Sequence, residues 1–302
     1  MKSTLQWLAR QTWFQVLFWT LVLIGAWEAG ATLVEMTKRM PANIMPHLYQ
    51  ILQAAFSGQE VSGGMTATQV VLKASAATLG RAFLGFLLGA LAGYMLAFLM
   101  KLSGVIEKMI FPYLMLIQLI PVLGLAPIIL AITGNINSSR LVIAAILSFY
   151  PVATNTLAGF KSVEKDKYDL MATYAAKKRN MFLKVLIPQS IPYFFTGLKV
   201  AAPMAVTASI LVDTLQGDGG LGCILSQALK HAMSIYVFWL IVFFSAFVGI
   251  FSSILIHWVE LLVTPGVVVN LLRKLSIGKE AGAYGRKNEK VQKKKKYPSS
   301  VV

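Results

Sequence analysis

Long apolar runs alternate with short polar ones along most of the chain. Six segments, 12–34, 77–100, 109–132, 140–160, 191–213 and 234–263, are apolar over most of their length. A helix needs about 20 such residues to cross roughly 30 Å of hydrocarbon with every backbone group paired internally. The pattern predicts an all-α polytopic membrane protein with about six transmembrane helices. The first run follows Lys2 and Arg10 but is too long for a signal peptide and lacks a small-residue cleavage site, so it reads as an anchor helix.

The pattern divides the chain into four parts: 1–34, an N-terminal segment and anchor; 35–76, a connector; 77–263, the core; and 264–302, a basic tail expected to be disordered. Within the connector, Met40 to Pro46 carries two prolines, and the amphipathic run His47 to Phe56 predicts a short helix at the membrane surface. One polar interruption stands out inside the core. The stretch 161–190 holds seven basic residues and three acids and is far longer than a connector between two spans requires. Its pattern predicts a helix over 166–176, with Asp166 or Asp169 favoured at the start and Lys177, Lys178 and Arg179 at the end by the helix dipole. A second short helix over 180–187 would bind back to the bundle through Met181, Phe182, Val185 and Leu186 before Pro188 breaks it. One side of the loop would then be held by the membrane domain, and the other, with the small Ala172, Ala175 and Ala176, offered to a partner.

Composition agrees with the spans: of 302 residues 57% are hydrophobic and 13% charged, with mean hydropathy +0.67. The net charge of +16 is distributed by topology and does not form a nucleic-acid-binding groove. Of the 28 Lys and Arg, 21 fall in the N-terminus, the 101–108 turn, the 161–184 stretch and the 273–296 tail, which places these segments and both termini in the cytoplasm by the positive-inside rule. The connector and 214–233 then face outward. Trp7, Trp13, Trp27, Trp239 and Trp258 lie near span ends, as interfacial tryptophans do, whereas Trp19 lies within the first span. The single cysteine, Cys223, excludes an internal disulfide.

No enzymatic constellation is present: His47, His231 and His257 are far apart in sequence, no HExxH or GxSxG occurs, and no phosphate-cradling GxxxxGK[ST] loop exists. No metal site or cofactor is expected. A solute path has to be built from polar groups and backbone breaks in apolar spans. Gln118, Pro121, Asn155, Thr207, Ser209 and Asp213 are the candidates. Gly80, Gly85, Gly89 and Gly93 are small residues suited to packing a neighbouring helix, and Lys199 reads as a side chain that snorkels, or that attracts an anion if it faces inward.

The 161–190 stretch also resembles the cytoplasmic loop of integral-membrane permeases of ATP-binding-cassette importers, of the nitrate, sulfonate, taurine and thiamine-precursor type. That loop reads EAA, three residues, Gly, then about a dozen residues to a hydrophobic-Pro pair. Here the register falls on Asp169-Leu170-Met171, Ala172-Thr173-Tyr174, Ala175 and Leu186-Ile187-Pro188, followed by Pro192. Leu79, Arg81 and Gly85, Pro121 to Pro127, Phe149-Tyr150-Pro151, Asn155-Thr156, Gly159, Phe195 to Lys199, Asp213 in place of the usual Glu, and Gly220-Leu221-Gly222 follow the family in order, so the resemblance covers roughly residues 40 to 263.

The resemblance implies a type I importer permease fold, separate ATPase subunits docking on Asp169, Leu170, Met171, Ala172, Ala175, Leu186 and Pro188, a second permease copy forming a homodimer in the inner membrane, and an extracytoplasmic solute-binding protein. It also implies a departure: Ala175 stands where the family places a glycine able to adopt positive φ. A secondary transporter or channel without an ATPase, and a non-transport scaffold, remain open on the residues alone.

Overall fold

The structure is a computed structural model and describes residues 12–216, 219–230 and 234–264. The first eleven residues, the tail from 265 onward and His231 lie outside the described residues.

Helix α1 (Thr12–Thr37) is apolar over most of its length, with Glu28 and Glu35 in its last turns, and is largely exposed. It meets the rest of the chain near its C-terminal end. There the Trp27 ring packs edge-on against Trp239 at 4.9 Å between centroids, and Trp27 Nε1 donates to the Pro46 carbonyl at 3.1 Å. The connector continues through a 3-10 turn (Pro41–Asn43) into α2 (Leu48–Phe56), the short helix expected from the amphipathic run. Its first turn is satisfied from two sides: Gln50 Oε1 accepts from His47 N at 3.0 Å, and Glu28 Oε1 accepts from Leu48 N at 2.9 Å. A two-stranded hairpin, β1 (Glu60–Ser62) and β2 (Met65–Thr66), follows. It is an addition to the all-α expectation and is built on Gly63 and Gly64, both at positive φ as a two-residue turn requires.

His47 joins α1 to α2. Its Nδ1 lies 2.5 Å from Glu28 Oε2 and its Nε2 lies 3.3 Å from Glu35 Oε2. The hydrogen bond to Glu28, and secondly that to Glu35, hold the imidazole pKa above its ordinary 6.5. A raised histidine pKa stabilises fully below the unfolded value and loses that contribution as pH rises through the folded one. Hydrogen exchange of the α2 amides is therefore expected to accelerate beyond its intrinsic pH dependence as pH rises above the ordinary imidazole value of 6.5, and this excess to vanish in His47→Ala; an excess retained in the variant would remove the imidazole from the account.

The hairpin leads directly into α3 (Ala67–Leu102), which begins ten residues before the predicted span because Thr66 and Gln69 form a reciprocal capping box. The expected third span is not one helix. It is α4 (Gly104–Ile117) and α5 (Val122–Thr133), separated at Gln118–Pro121, so among the described residues five single helices are long and apolar enough to cross a membrane and the sixth segment is a broken pair. Pro121 lacks an N–H and disfavours helical backbone at the residue before it, which ends α4 and restarts the chain as α5. Helix α6 (Ile136–Lys161) is capped by Asn135, whose Oδ1 accepts from Asn137 N at 2.8 Å.

The 161–190 stretch forms α7 (Lys165–Thr173), the single turn α8 (Lys178–Met181) and a π-turn (Phe182–Leu186) that runs straight into α9 (Ile187–Gln216). Pro188 therefore does not break the chain as expected. In the π-turn Ile187 N reaches back to the Phe182 carbonyl, and the wider register accommodates the proline ring in the first turn of α9. Helices α10 (Leu221–Leu229) and α11 (Ile235–Val263) complete the described chain.

Helices α3, α6 and α9 form the centre. Gly85, Gly89 and Gly93 give α3 a face without side chains, and α6 lies against it so closely that a Cβ on Gly89 would stand 2.4 Å from the Ala145 carbonyl oxygen. Gly80 faces open space. Toward the 161–190 end, Met100, Leu114, Phe160 and Leu186 form a buried cluster with Met181, Phe182 and Val185 packed against it. This cluster ties the π-turn to α3, α4 and α6.

Candidate coupling segment and buried junction

Two sites lie at opposite ends of the α3–α6–α9 centre. At the loop end, α7 has no buried residue. Its inner side is held lightly: Lys167 Nζ donates to Gln189 Oε1 at 3.2 Å, and Lys101 Nζ sits 5.7 Å from the Tyr168 ring centroid. Lys161 is paired with Glu107, joining α6 to α4 at this end. The outward side carries Asp169, Ala172 and Leu170, the last 55% exposed, and the following Tyr174 is 75% exposed; Met171 is half-buried.

The helix ends in a Schellman arrangement, with Ala176 N donating to the Met171 carbonyl at 3.0 Å and Ala175 N to the Ala172 carbonyl at 2.8 Å. That closure places Ala175 at φ +47°, the one non-glycine residue at positive φ among those described. An L-residue there costs about 1 kcal/mol relative to glycine. Of the remaining loop residues, Pro188 is exposed, whereas Leu186 is 2% exposed and belongs to the clamp that holds the segment.

At the opposite end Asp213 is fully buried. Arg140 Nε lies 2.9 Å and Arg81 Nη2 3.2 Å from its Oδ1, and Thr78 Oγ1 donates to its Oδ2 at 2.6 Å. The loop before α10 closes over this group: Arg140 Nη2 donates to the Gly219 carbonyl at 3.4 Å and Leu221 N to Thr78 Oγ1 at 2.9 Å. Ser209, one turn from Asp213, donates to the Thr78 carbonyl at 3.1 Å. The closure depends on Gly220, at φ +92°, where a Cβ would stand 2.1 Å from Asp213 Oδ2. Thus α3, α6, α9 and the start of α10 meet on one carboxylate. Charges leave water only when paired and hydrogen-bonded, which accounts for the density of contacts.

The structure separates the six path candidates. Ser209 and Asp213 belong to the buried junction. Thr207 lies on the other face of α9 and donates to its own helix at the Pro203 carbonyl, 3.0 Å. There it borders an open groove of about 470 Å³ between α9 and α11, together with Pro203, Ser245, Gly249 and Ser253. Asn155 is turned onto the Pro151 carbonyl at 2.7 Å. Gln118 and Pro121 are exposed at the α4–α5 break.

Sequence reasoning did not supply Thr78, Arg81 and Arg140 as partners of Asp213. The available signal was the presence of ionisable residues within apolar segments, which hydrocarbon tolerates when they pair with one another. The same signal marks Lys199. It does not snorkel alone: its ammonium pairs with Glu260 on α11, Ser253 Oγ donates to its carbonyl at 2.9 Å, and His257 Nδ1 stands 3.3 Å from Glu260 Oε2. Among the described residues no group of three or more His, Cys, Asp or Glu is placed to hold a metal ion.

Membrane-crossing helices closed on a buried ionic junction, with a helical segment projecting from one end, define a polytopic membrane protein. The chain belongs to the family of binding-protein-dependent transport system inner membrane components, whose pattern matches residues 85–265. It is thus an ABC-transporter permease, a transport protein and not an enzyme.

The chain is 30% identical over 202 residues to the formylaminopyrimidine transport permease protein ThiX of Halalkalibacterium halodurans, covering 67% of this chain and 76% of that one. It is 26% identical over 230 residues to the nitrate import permease protein NrtB of Synechococcus elongatus, covering 74% and 80%. With the putative aliphatic sulfonates transport permease protein SsuC of Bacillus subtilis it shares 25% identity over 185 residues, covering 59% and 67%. The fold matches solved structures of an amino acid ABC transporter (TM-score 0.55, 22% identity, 64% of this chain and 94% of that one) and of the MetNI methionine ABC transporter (TM-score 0.53, 15% identity, 64% and 97%).

Proposed function

We propose that this chain forms the solute path of an ATP-driven importer in the cytoplasmic (inner) membrane and that separate ATPase subunits drive it through residues 161–190. The observation that carries this reading is α7: an exposed helix anchored through its π-turn into the buried cluster of Met100, Leu114, Phe160 and Leu186. A push on α7 is therefore passed to α3, α4 and α6, because packed interiors transmit displacement as rigid units. The excess of basic residues at this end supports a cytoplasmic position for it and for both termini, by the positive-inside rule. The connector end then faces outward, where a solute-binding protein delivers solute. A second copy of the chain completes the path as a homodimer.

Ala172 is exposed on α7, and replacing it by arginine places a long charged side chain in the docking face without touching the core. The expected result for Ala172→Arg in proteoliposomes is loss of ATP-driven uptake and of ATPase association by more than about tenfold, with the permease's thermal unfolding unchanged. Wild-type uptake and association in this variant would show that α7 is not the docking element.

A further inference from the structure

Resting on that docking reading, we infer that the ATPase groove receiving α7 has an apolar floor for Leu170 and Tyr174 and an acidic wall beside Lys177, Lys178 and Arg179. Leu170 and Tyr174 are four residues apart, so they lie on one side of the helix end, and they are 55% and 75% exposed. An apolar pair on an otherwise polar segment is a surface that loses water when a partner covers it.

The charge around this pair is uneven. From Tyr174 to Gln189 the chain carries Lys177, Lys178, Arg179 and Lys184, all exposed, and no acid. The start of the segment carries exposed Glu164, Asp166 and Asp169 beside exposed Lys165, while Lys167 is turned inward onto Gln189. A surface covering both ends must therefore be acidic near residues 177–179 and not acidic near residues 164–169. An anionic lipid surface is negative throughout and would repel the three carboxylates, whereas a protein groove can vary its charge along its length. Among the described residues none of the three cations is in an ion pair.

The test uses the full-length permease in nanodiscs of phosphatidylcholine, titrated with the purified P-loop ATPase that supports its ATP-driven uptake, at low and high salt. Lys177→Glu/Lys178→Glu/Arg179→Glu is expected to weaken association at low salt by at least about tenfold and to abolish the loss of affinity with salt. Leu170→Ser/Tyr174→Ser is expected to weaken it about tenfold at both salts, with the salt dependence retained. Wild-type affinity in the charge-reversed protein, with Ala172→Arg still blocking association, would overturn the acidic wall and leave the docking reading intact. Wild-type affinity in all three variants would overturn both. A defect of the charge-reversed protein confined to nanodiscs containing phosphatidylglycerol would assign the cations to lipid and overturn the acidic wall as well.

Discussion

Asp213→Ala is expected to lower the unfolding free energy of the permease by about 3–5 kcal/mol, the range for leaving buried charges without their partner. The carboxylate lies between two guanidiniums, and Arg140 is itself almost wholly buried, so removing the carboxylate leaves positive charge in a low-dielectric interior. The loss extends beyond the ion pairs. Thr78 Oγ1 loses the nearer of its two acceptors and keeps the Ala74 carbonyl at 3.3 Å, and the Gly219–Leu221 loop loses the group over which it closes. Thermal unfolding of the detergent-purified protein measures the effect, with Asp213→Asn as the comparison because it keeps the shape and a hydrogen-bond acceptor for Thr78. An intermediate loss in Asp213→Asn and a severe one in Asp213→Ala is the expected order. Uptake abolished in Asp213→Asn with unfolding unchanged would instead place the carboxylate in the solute path.

Gly89→Leu is expected to be the most damaging single change in the helix-packing centre. A Cβ at this position would already stand 2.4 Å from the Ala145 carbonyl oxygen and 2.8 Å from Ser148 Cβ, both on α6. The obstructing groups are backbone and the root of a side chain, so no rotamer change relieves the contact and α3 has to move away from α6. Overpacking of this kind costs about 1–3 kcal/mol and sometimes more. Here the displacement is shared by the contacts at Gly85 and Gly93 along the same face, which puts the expected loss at about 3 kcal/mol. Gly80→Leu is the matched control, because nothing lies within 4 Å of that position, and it is expected to unfold like the wild type. Equal destabilisation by the two substitutions would show that the α3–α6 approach does not set the loss, since leucine in place of glycine favours a helix interior by itself.

Much of the architecture was readable from local rules. Five of the six apolar runs are single spanning helices, and the short connector helix lies where its amphipathic pattern put it. The lengths and ends of these elements follow from hydrocarbon thickness and from capping residues such as Thr66, Asn135 and Ser234, which act on neighbours a few positions away. Positive φ at Ala175 was implied by the resemblance, which has a glycine there, and the Schellman closure seen in the structure gives its physical reason. The two prolines were harder to read. Pro121 divides a run that hydropathy alone presents as one helix, and Pro188 is carried within a helix that it was expected to end. A missing N–H can be accommodated by a break or by a wider turn, and which occurs depends on how the flanking segments pack.

The candidate site divides along the same line. Exposure of α7 and its excess of polar residues belong to the chain's own pattern, because a segment with few apolar positions has little to bury. The hydrophobic runs and their caps likewise determine that the chain crosses a membrane as helices and where most of those helices start and stop. The partners of Asp213 and of Lys199 were decided only by the assembled bundle. Arg81 stands 132 positions from Asp213 and Glu260 stands 61 positions from Lys199. Along the sequence each of these is an isolated charge in or beside an apolar run, open to a role as solute contact, snorkelling side chain or ion partner. Packing α3 against α6 through glycine, and α9 against both, brings the charges within reach of one another, and the high energy of an unpaired charge in a low-dielectric interior then selects the pairing.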